Sequence, residues 1–255
     1  MMRKRRTELL LTIMGPLIVL LIWEALSRTE TIDPLFWPAP TSLWDTTVEL
    51  FTEKDLLGDI GISLYRILMG FVLGTIPGIV IGLAMGLFWP VRAALMPIAS
   101  AIYAVPKIAI LPLVIIAFGI GELSKIMIVA ISIFFLVALN TMSGVLSIDN
   151  QFRDVARNLG ASKWELFWTV ALPGSLPAIF TGMRLSLGFA LIVIVGAEFL
   201  AADKGIGFMI WQSYQTLRIK QMFVGLVITG IMGWALTLVV DALERIIVPW
   251  RADDA

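Results

Sequence analysis

Residues 149–173 read Asp149-Asn150-Gln151-Phe152-Arg153-Asp154-Val155-Ala156-Arg157-Asn158-Leu159-Gly160-Ala161-Ser162-Lys163-Trp164-Glu165-Leu166-Phe167-Trp168-Thr169-Val170-Ala171-Leu172-Pro173. Phe152, Val155, Ala156 and Leu159 fall at helical spacing on one side of this stretch. Arg153, Asp154, Arg157 and Asn158 fall on the other, so the spacing predicts an amphipathic helix. Gly160 is placed to end it, because glycine takes the left-handed cap conformation at little cost. Ser162 and Glu165 have the spacing of a capping box, which predicts a second short helix. Pro173 and Pro177 are expected to close that helix. The product is a helix-turn-helix with a charged outer face.

What lies on either side of this hairpin fixes its setting. Apolar runs at 123–145 and 176–200 flank it, each long enough to cross a bilayer core, which takes about 20 residues. Of the 255 residues, 59% are hydrophobic and 15% charged, with a mean hydropathy of +0.93. Soluble domains carry about 45–50% apolar and about 25% charged residues. Too little polar surface remains to cover one water-soluble core, so the chain belongs in a membrane. Nineteen basic and nineteen acidic residues cancel, leaving no global charge that points to nucleic acid. With neither Cys nor His present, disulfides, thiol chemistry, His-ligated metals, His proton relays and Ser-His protease sites are excluded.

Six spans are predicted, at about 9–26, 61–88, 93–118, 123–145, 176–200 and 222–248. Every backbone polar group in lipid needs an internal partner, so the spans should be helices in an all-α polytopic bundle, a single transmembrane domain over 1–255. The first span follows Arg3, Lys4, Arg5 and Arg6 and reads as an uncleaved signal anchor rather than a cleaved signal peptide. An amino terminus in the cytoplasm puts those residues inside, together with Arg92, Arg153, Arg157, Lys163, Arg245 and Arg251. The first outer segment, 28–60, then carries seven acids and two bases. Lys204, Arg218 and Lys220 in the outer 201–220 loop weaken this assignment without reversing it. Both termini are expected inside, and the hairpin lies along the inner membrane surface.

Glycines at 70, 74, 78, 82 and 86 recur every fourth residue of the second span. They form a flat groove where another helix backbone can approach, a packing feature rather than a substrate site. The third span contains Pro97, Pro106 and Pro112, each lacking an amide donor. Irregular backbone at membrane depth is tolerated where it is buried in protein or lines a wet cavity. Pro106 and Lys107 are therefore translocation-path candidates, against the alternative of a lysine snorkelling to the headgroups. Arg184 and Glu198 are further candidates, because ionisable groups in a span usually face the bundle interior or water. A structural ion pair or an interface anchor is the competing reading for each, and Glu198 suits a gate better than an anion path. Outside the membrane, Thr41 or Ser42 can cap a short amphipathic helix through Val48 and Phe51. With the loop around Gly205 and Gly207, this segment is a candidate docking rim.

The 149–173 hairpin resembles the EAA motif of bacterial ABC importer permeases: Glu-Ala-Ala, three residues, Gly, nine residues, Ile, one residue, Leu-Pro. Here Asp154-Val155-Ala156, Gly160, Val170 and Leu172-Pro173 keep that spacing in full, with Asp for Glu, Val for the first Ala and Val for Ile. The chain is similar over nearly its whole length to the permeases that move taurine, other sulfonates, nitrate and bicarbonate. Supporting stretches include Pro38-Ala39-Pro40 with Leu43, Leu64 to Arg66, Gly119-Ile120-Gly121, Thr181-Gly182-Met183-Arg184-Leu185, Ala197-Glu198 and Gly205-Ile206-Gly207-Phe208-Met209.

This resemblance implies a six-helix, type I (MetI-like) permease fold in a bacterial inner membrane. It also implies a non-catalytic subunit, a homodimer with a second copy, two cytoplasmic ATPase subunits carrying ATP and Mg, and an external substrate-binding protein. Arg153, Asp154, Ala156, Arg157, Gly160, Ala161, Ser162, Leu172 and Pro173 become ATPase-coupling candidates. No cofactor is expected on this chain: the stretch Gly119 to Lys125 lacks the glycine before the lysine that a phosphate-binding loop requires. A rhomboid-type protease is excluded by the missing His. An ion-coupled secondary transporter or a channel is the alternative reading, but neither has a reason to carry an ATPase-docking hairpin.

Overall fold

The computed structural model describes residues 2–250, and the side chains of residues 11, 12 and 14–250. Arg251 and the side chains of Arg3, Lys4, Arg5 and Arg6 lie outside the described residues. The described chain is helical: α1 (Met2–Arg28), α2 (Leu43–Glu53), α3 (Leu56–Leu87), α4 (Trp89–Ala104), α5 (Leu111–Phe118), α6 (Glu122–Leu146), α7 (Asn150–Asn158), α8 (Lys163–Leu166), α9 (Leu172–Ala201), α10 (Ile206–Gln215) and α11 (Ile219–Ile247).

Among the described residues, α3, α6, the continuous Lys163–Ala201 unit and α11 are each long and apolar enough to cross a membrane. Their mean hydropathies lie between 2.1 and 2.3. The predicted first span falls within α1, where part of the side-chain set lies outside the described residues. The predicted third span is not one interrupted helix. It is α4 followed by the 107–118 segment, bent by 92° at the break. Of its three prolines only Pro106 breaks the backbone. Pro97 is carried inside α4, and Pro112 sits in the first turn of α5, where its missing amide has no helical partner to lose. Val105 is pushed to extended geometry (φ −70°, ψ 128°), as expected for the residue before a proline.

The glycine stripe sets the tightest helix pair. A methyl group added at Gly74 or Gly82 would overlap the carbonyl oxygens of Ala130 and Ala138, and one at Gly70 or Gly86 would strike Val129 or Val145. The backbones of α3 and α6 can therefore lie against each other over four turns. α6 is the central helix, with 56% of its apolar window buried, against 39% for α3 and 33% for α11. Its Ile128, Val129, Ile133 and Val137 share one buried core with Leu187, Ala190 and Ile194 of α9. The outer flank of α11, with Val227, Ile231, Trp234 and Leu238 exposed, has the composition lipid requires.

Two local expectations need correction. The helix beginning at Ser162 is not closed by Pro173 and Pro177. It widens into a π turn at Phe167–Ala171 and runs on as α9 to Ala201. Such a widened turn re-satisfies backbone groups freed by a proline, so the two helices join instead of ending. The short helix through Val48 and Phe51 exists as α2, but neither Thr41 nor Ser42 caps it with its side chain. The Ser42 hydroxyl donates to the Ala39 carbonyl at 2.8 Å, and Thr41 is tied through its amide and hydroxyl to Glu24 of α1.

Candidate coupling and translocation site

The hairpin is built from local rules. The Asp149 carboxylate accepts the Gln151 amide at 2.9 Å and starts α7. Gly160 ends it at φ +84°, a conformation that costs a side-chain-bearing residue about 1–2 kcal/mol. Its amide and that of Ala161 donate back to Arg157 and Ala156 carbonyls at 2.9 and 3.0 Å. The capping box is complete: the Glu165 amide donates to Ser162 Oγ at 3.3 Å, and the Ser162 amide donates to Glu165 Oε2 at 2.7 Å. Because α8 continues through the π turn into α9, the second arm of the hairpin and a membrane-spanning helix form one continuous rod. The first arm is held to the preceding helix by Arg153, whose Nη2 donates to the Val145 carbonyl at 2.7 Å near the end of α6.

The orientation of α7 differs from the sequence expectation. Its outer face is not purely charged, because the apolar stripe itself points outward: Phe152 is 66% exposed, Val155 58% and Leu159 83%. Arg153 and Ala156 are half-buried instead, since the guanidinium must turn inward to reach the Val145 carbonyl. Asp154, Arg157 and Gly160 are exposed beside the stripe. Ala161 is half-buried and Ser162 exposed in the turn, whereas Leu172 and Pro173 lie at the start of α9. The coupling candidates thus occupy one compact element whose exposed surface mixes apolar and charged groups.

The path candidates are dispersed. Lys107 is only 4% exposed and does not snorkel. Its ammonium donates to the carbonyls of Ile102, Tyr103 and Val105 at 2.7, 3.0 and 2.8 Å. Those carbonyls lie at the end of α4, where the Val105 amide reaches back to Ile102 alone, so a cation there answers the remaining acceptors and the helix dipole. The Tyr103 and Phe135 rings lie 5.7 and 6.0 Å from the same ammonium. Arg184 of α9 pairs with Asp241 at 2.9 Å and with Glu244, fastening α9 to α11.

Glu198 belongs to a buried cluster at the other end of α9; the family stretches include its Arg66, Gly205 and Gly207, but Asp59, Ser63 and Glu122 are additions of the structure, as is the pairing of Arg66 with Glu198. Glu198 and Arg66 are both fully buried and meet at 2.6 Å. Arg66 also holds Glu122 of α6 through two bonds of 2.6 and 2.7 Å, and donates to the Lys204 carbonyl at 2.8 Å. Glu198 additionally accepts from Ser63 Oγ at 2.8 Å and from the Gly207 amide at 2.8 Å. The amides of Gly205 and Ile206 end on Asp59 and Ser63 at 2.7 and 3.0 Å. Three side chains from α3 and α9 therefore receive the free amides that open α10, where negative charge is favoured. Gly205 has φ +118°, and a methyl group there would collide with the Glu198 carboxylate, so only glycine fits. The signal for this cluster was an arginine and a glutamate in apolar helices, but their pairing spans 132 positions and no short motif carries it.

Residues 78–253 match the family described as the binding-protein-dependent transport system inner membrane component. The chain is similar to the taurine transport system permease protein TauC of Escherichia coli (strain K12), 36% identical over 94% of this chain and 89% of that protein. It is also similar to a putative aliphatic sulfonates transport permease protein, SsuC, of Bacillus subtilis (strain 168), at 34% identity over 92% and 86%. Among solved structures, a bacterial alginate ABC transporter in complex with an alginate pentasaccharide-bound periplasmic protein shares the fold with a TM-score of 0.67, at 17% identity over 96% of each chain. The fold is the MetI-like permease fold that the hairpin motif implied. The chain belongs to the family of inner membrane components of binding-protein-dependent transport systems.

Proposed function

We propose that this chain, as a homodimer bound to two cytoplasmic ATPase subunits, forms the path by which a small organic or inorganic anion enters the cell. Taurine, an aliphatic sulfonate or a similar anion is delivered from outside by a binding protein. The taurine and sulfonate permeases to which the chain is similar support that substrate class. The observation that carries the coupling assignment is the hairpin: an exposed apolar and charged face on α7, joined through Gly160 to a rod that continues as α9.

Both termini face the cytoplasm, and α1 supplies a sixth crossing. Closure of the ATPases on ATP pushes the hairpin, and the α8–α9 rod transmits the displacement to the membrane, because a continuous helix has no joint at which motion is lost. Arg153 carries the same push to α6 through the Val145 carbonyl. Of the path candidates, the break at Pro106 shapes the route. Lys107, Arg184 and Glu198, each engaged with protein groups, hold the helices that border it. The segment around Thr41 and the clamped Gly205–Gly207 loop form the outer rim that receives the binding protein.

The test is a Gly160→Val variant in vesicles containing the ATPase and the binding protein. Left-handed geometry at Gly160 is lost or strained by about 1–2 kcal/mol. ATP hydrolysis should persist while uptake of labelled taurine falls well below wild type. Uptake and hydrolysis that stay coupled as in the wild type would overturn the assignment.

A further inference from the structure

At the hairpin end of the molecule, a groove of about 790 Å³ opens between the last turns of α3 and the second arm of the hairpin. Its lining is mostly apolar, with Val80, Leu83 and Leu87 from α3 and Leu166 and Phe167 from the hairpin arm. Arg157 and Lys163 supply the positive charge of the lining. Both cations are exposed, and neither makes an ion pair or hydrogen bond among the described residues. The nearest acid on that arm, Glu165, is committed to the Ser162 amide. Trp164 lines the groove and packs with Phe167 and Trp168 in an aromatic cluster, and tryptophans favour the boundary between lipid and water.

We propose that this groove binds an anionic phospholipid, its phosphate between Arg157 and Lys163 and one acyl chain along Val80, Leu83 and Leu87. The volume lies within the range of small-molecule sites, about 300–1,000 Å³. A soluble anion has no use for the apolar walls, and a zwitterionic lipid leaves two cations incompletely answered. An amphiphile with a net negative head answers both parts. Such a lipid bridges the end of α3 to α8, so its occupancy bears on where the hairpin sits relative to the bundle.

The experiment is native mass spectrometry of the delipidated full-length chain titrated with dioleoyl phosphatidylglycerol or dioleoyl phosphatidylcholine. Phosphatidylglycerol should be retained preferentially and should not be displaced by inorganic phosphate. Lys163→Gln should lower its affinity about fivefold, the effect of removing one basic side chain near an anionic headgroup. Lys163→Arg should bind as the wild type does, and Ala84→Phe, which narrows the groove, should weaken both lipids. Equal retention of the two lipids, displacement by free phosphate, unchanged binding in Lys163→Gln, or loss in Lys163→Arg would each overturn the site. So would a photo-crosslinker at position 83 that captures the ATPase or a second permease copy in native membranes in place of lipid. Because binding is read without transport, failure here leaves the coupling assignment intact.

Discussion

Around Arg66, at one end of the α3–α6–α9 bundle, the charged side chains find partners within the chain. Arg66 is shared by Glu122 and Glu198, Glu198 is shared by Ser63 and Gly207, and Asp59 receives Gly205. At the other end, α7 buries none of its residues and exposes Phe152, Val155 and Leu159. The first end is a closed network that holds four helix ends and a loop together. The second is a rigid element with its sticky face turned outward. A transporter subunit that makes its own energy has no need of such a face. One that receives energy does, and the contrast separates the part of the chain that maintains its shape from the part that meets a partner.

The sharpest way to break this contrast is at Arg66. Arg66→Met leaves Glu198 buried without its cation, and breaking a buried ion pair costs about 3–5 kcal/mol. A thermal-unfolding scan in detergent should show a severely destabilised or unassembled protein, with partial recovery when Glu198→Met is added. Stability unchanged by Arg66→Met would mean that the cluster does not hold this end. Lys107→Met is the next largest: the carbonyls of Tyr103 and Val105 lose their donor, at about 1–3 kcal/mol by the same scan. Wild-type stability would remove Lys107 from its capping role. Phe152→Ser and Leu159→Ser should give the smallest change in stability, within about 0.5 kcal/mol, because exposed positions contribute little to folding. Their effect should appear instead as loss of ATPase co-purification. ATPase association unchanged in both variants would show that the outward stripe is not the docking face.

Much of the bundle was legible in the sequence because apolar runs and helices coincide in a membrane. The predicted span at 123–145 sits inside α6, that at 222–248 overruns α11 by one residue, and the glycine stripe lies where α6 approaches. Gly160 and the Ser162–Glu165 box were readable because caps depend on neighbours a few residues apart. Three features were not. Periodicity places Phe152, Val155 and Leu159 on one side of α7 but cannot say which side faces the body, and that was decided by a contact from Arg153 to Val145. Pro173 and Pro177 looked like terminators because the π turn that accommodates Pro173 has no simple residue signature, and Pro177 is carried inside α9. The Arg66 cluster joins residues from α3, α6, α9 and the loop before α10, and only the packed helices bring them together.

In this scheme the driving force reaches the chain through the hairpin from a nucleotide-hydrolysing partner. The direct measurement is uptake of labelled taurine or sulfonate into vesicles holding the purified chain with binding protein supplied, with and without the ATPase subunits. Accumulation that requires both the ATPase and hydrolysable ATP is the predicted result. Concentrative uptake by the chain in vesicles lacking the ATPase would contradict it.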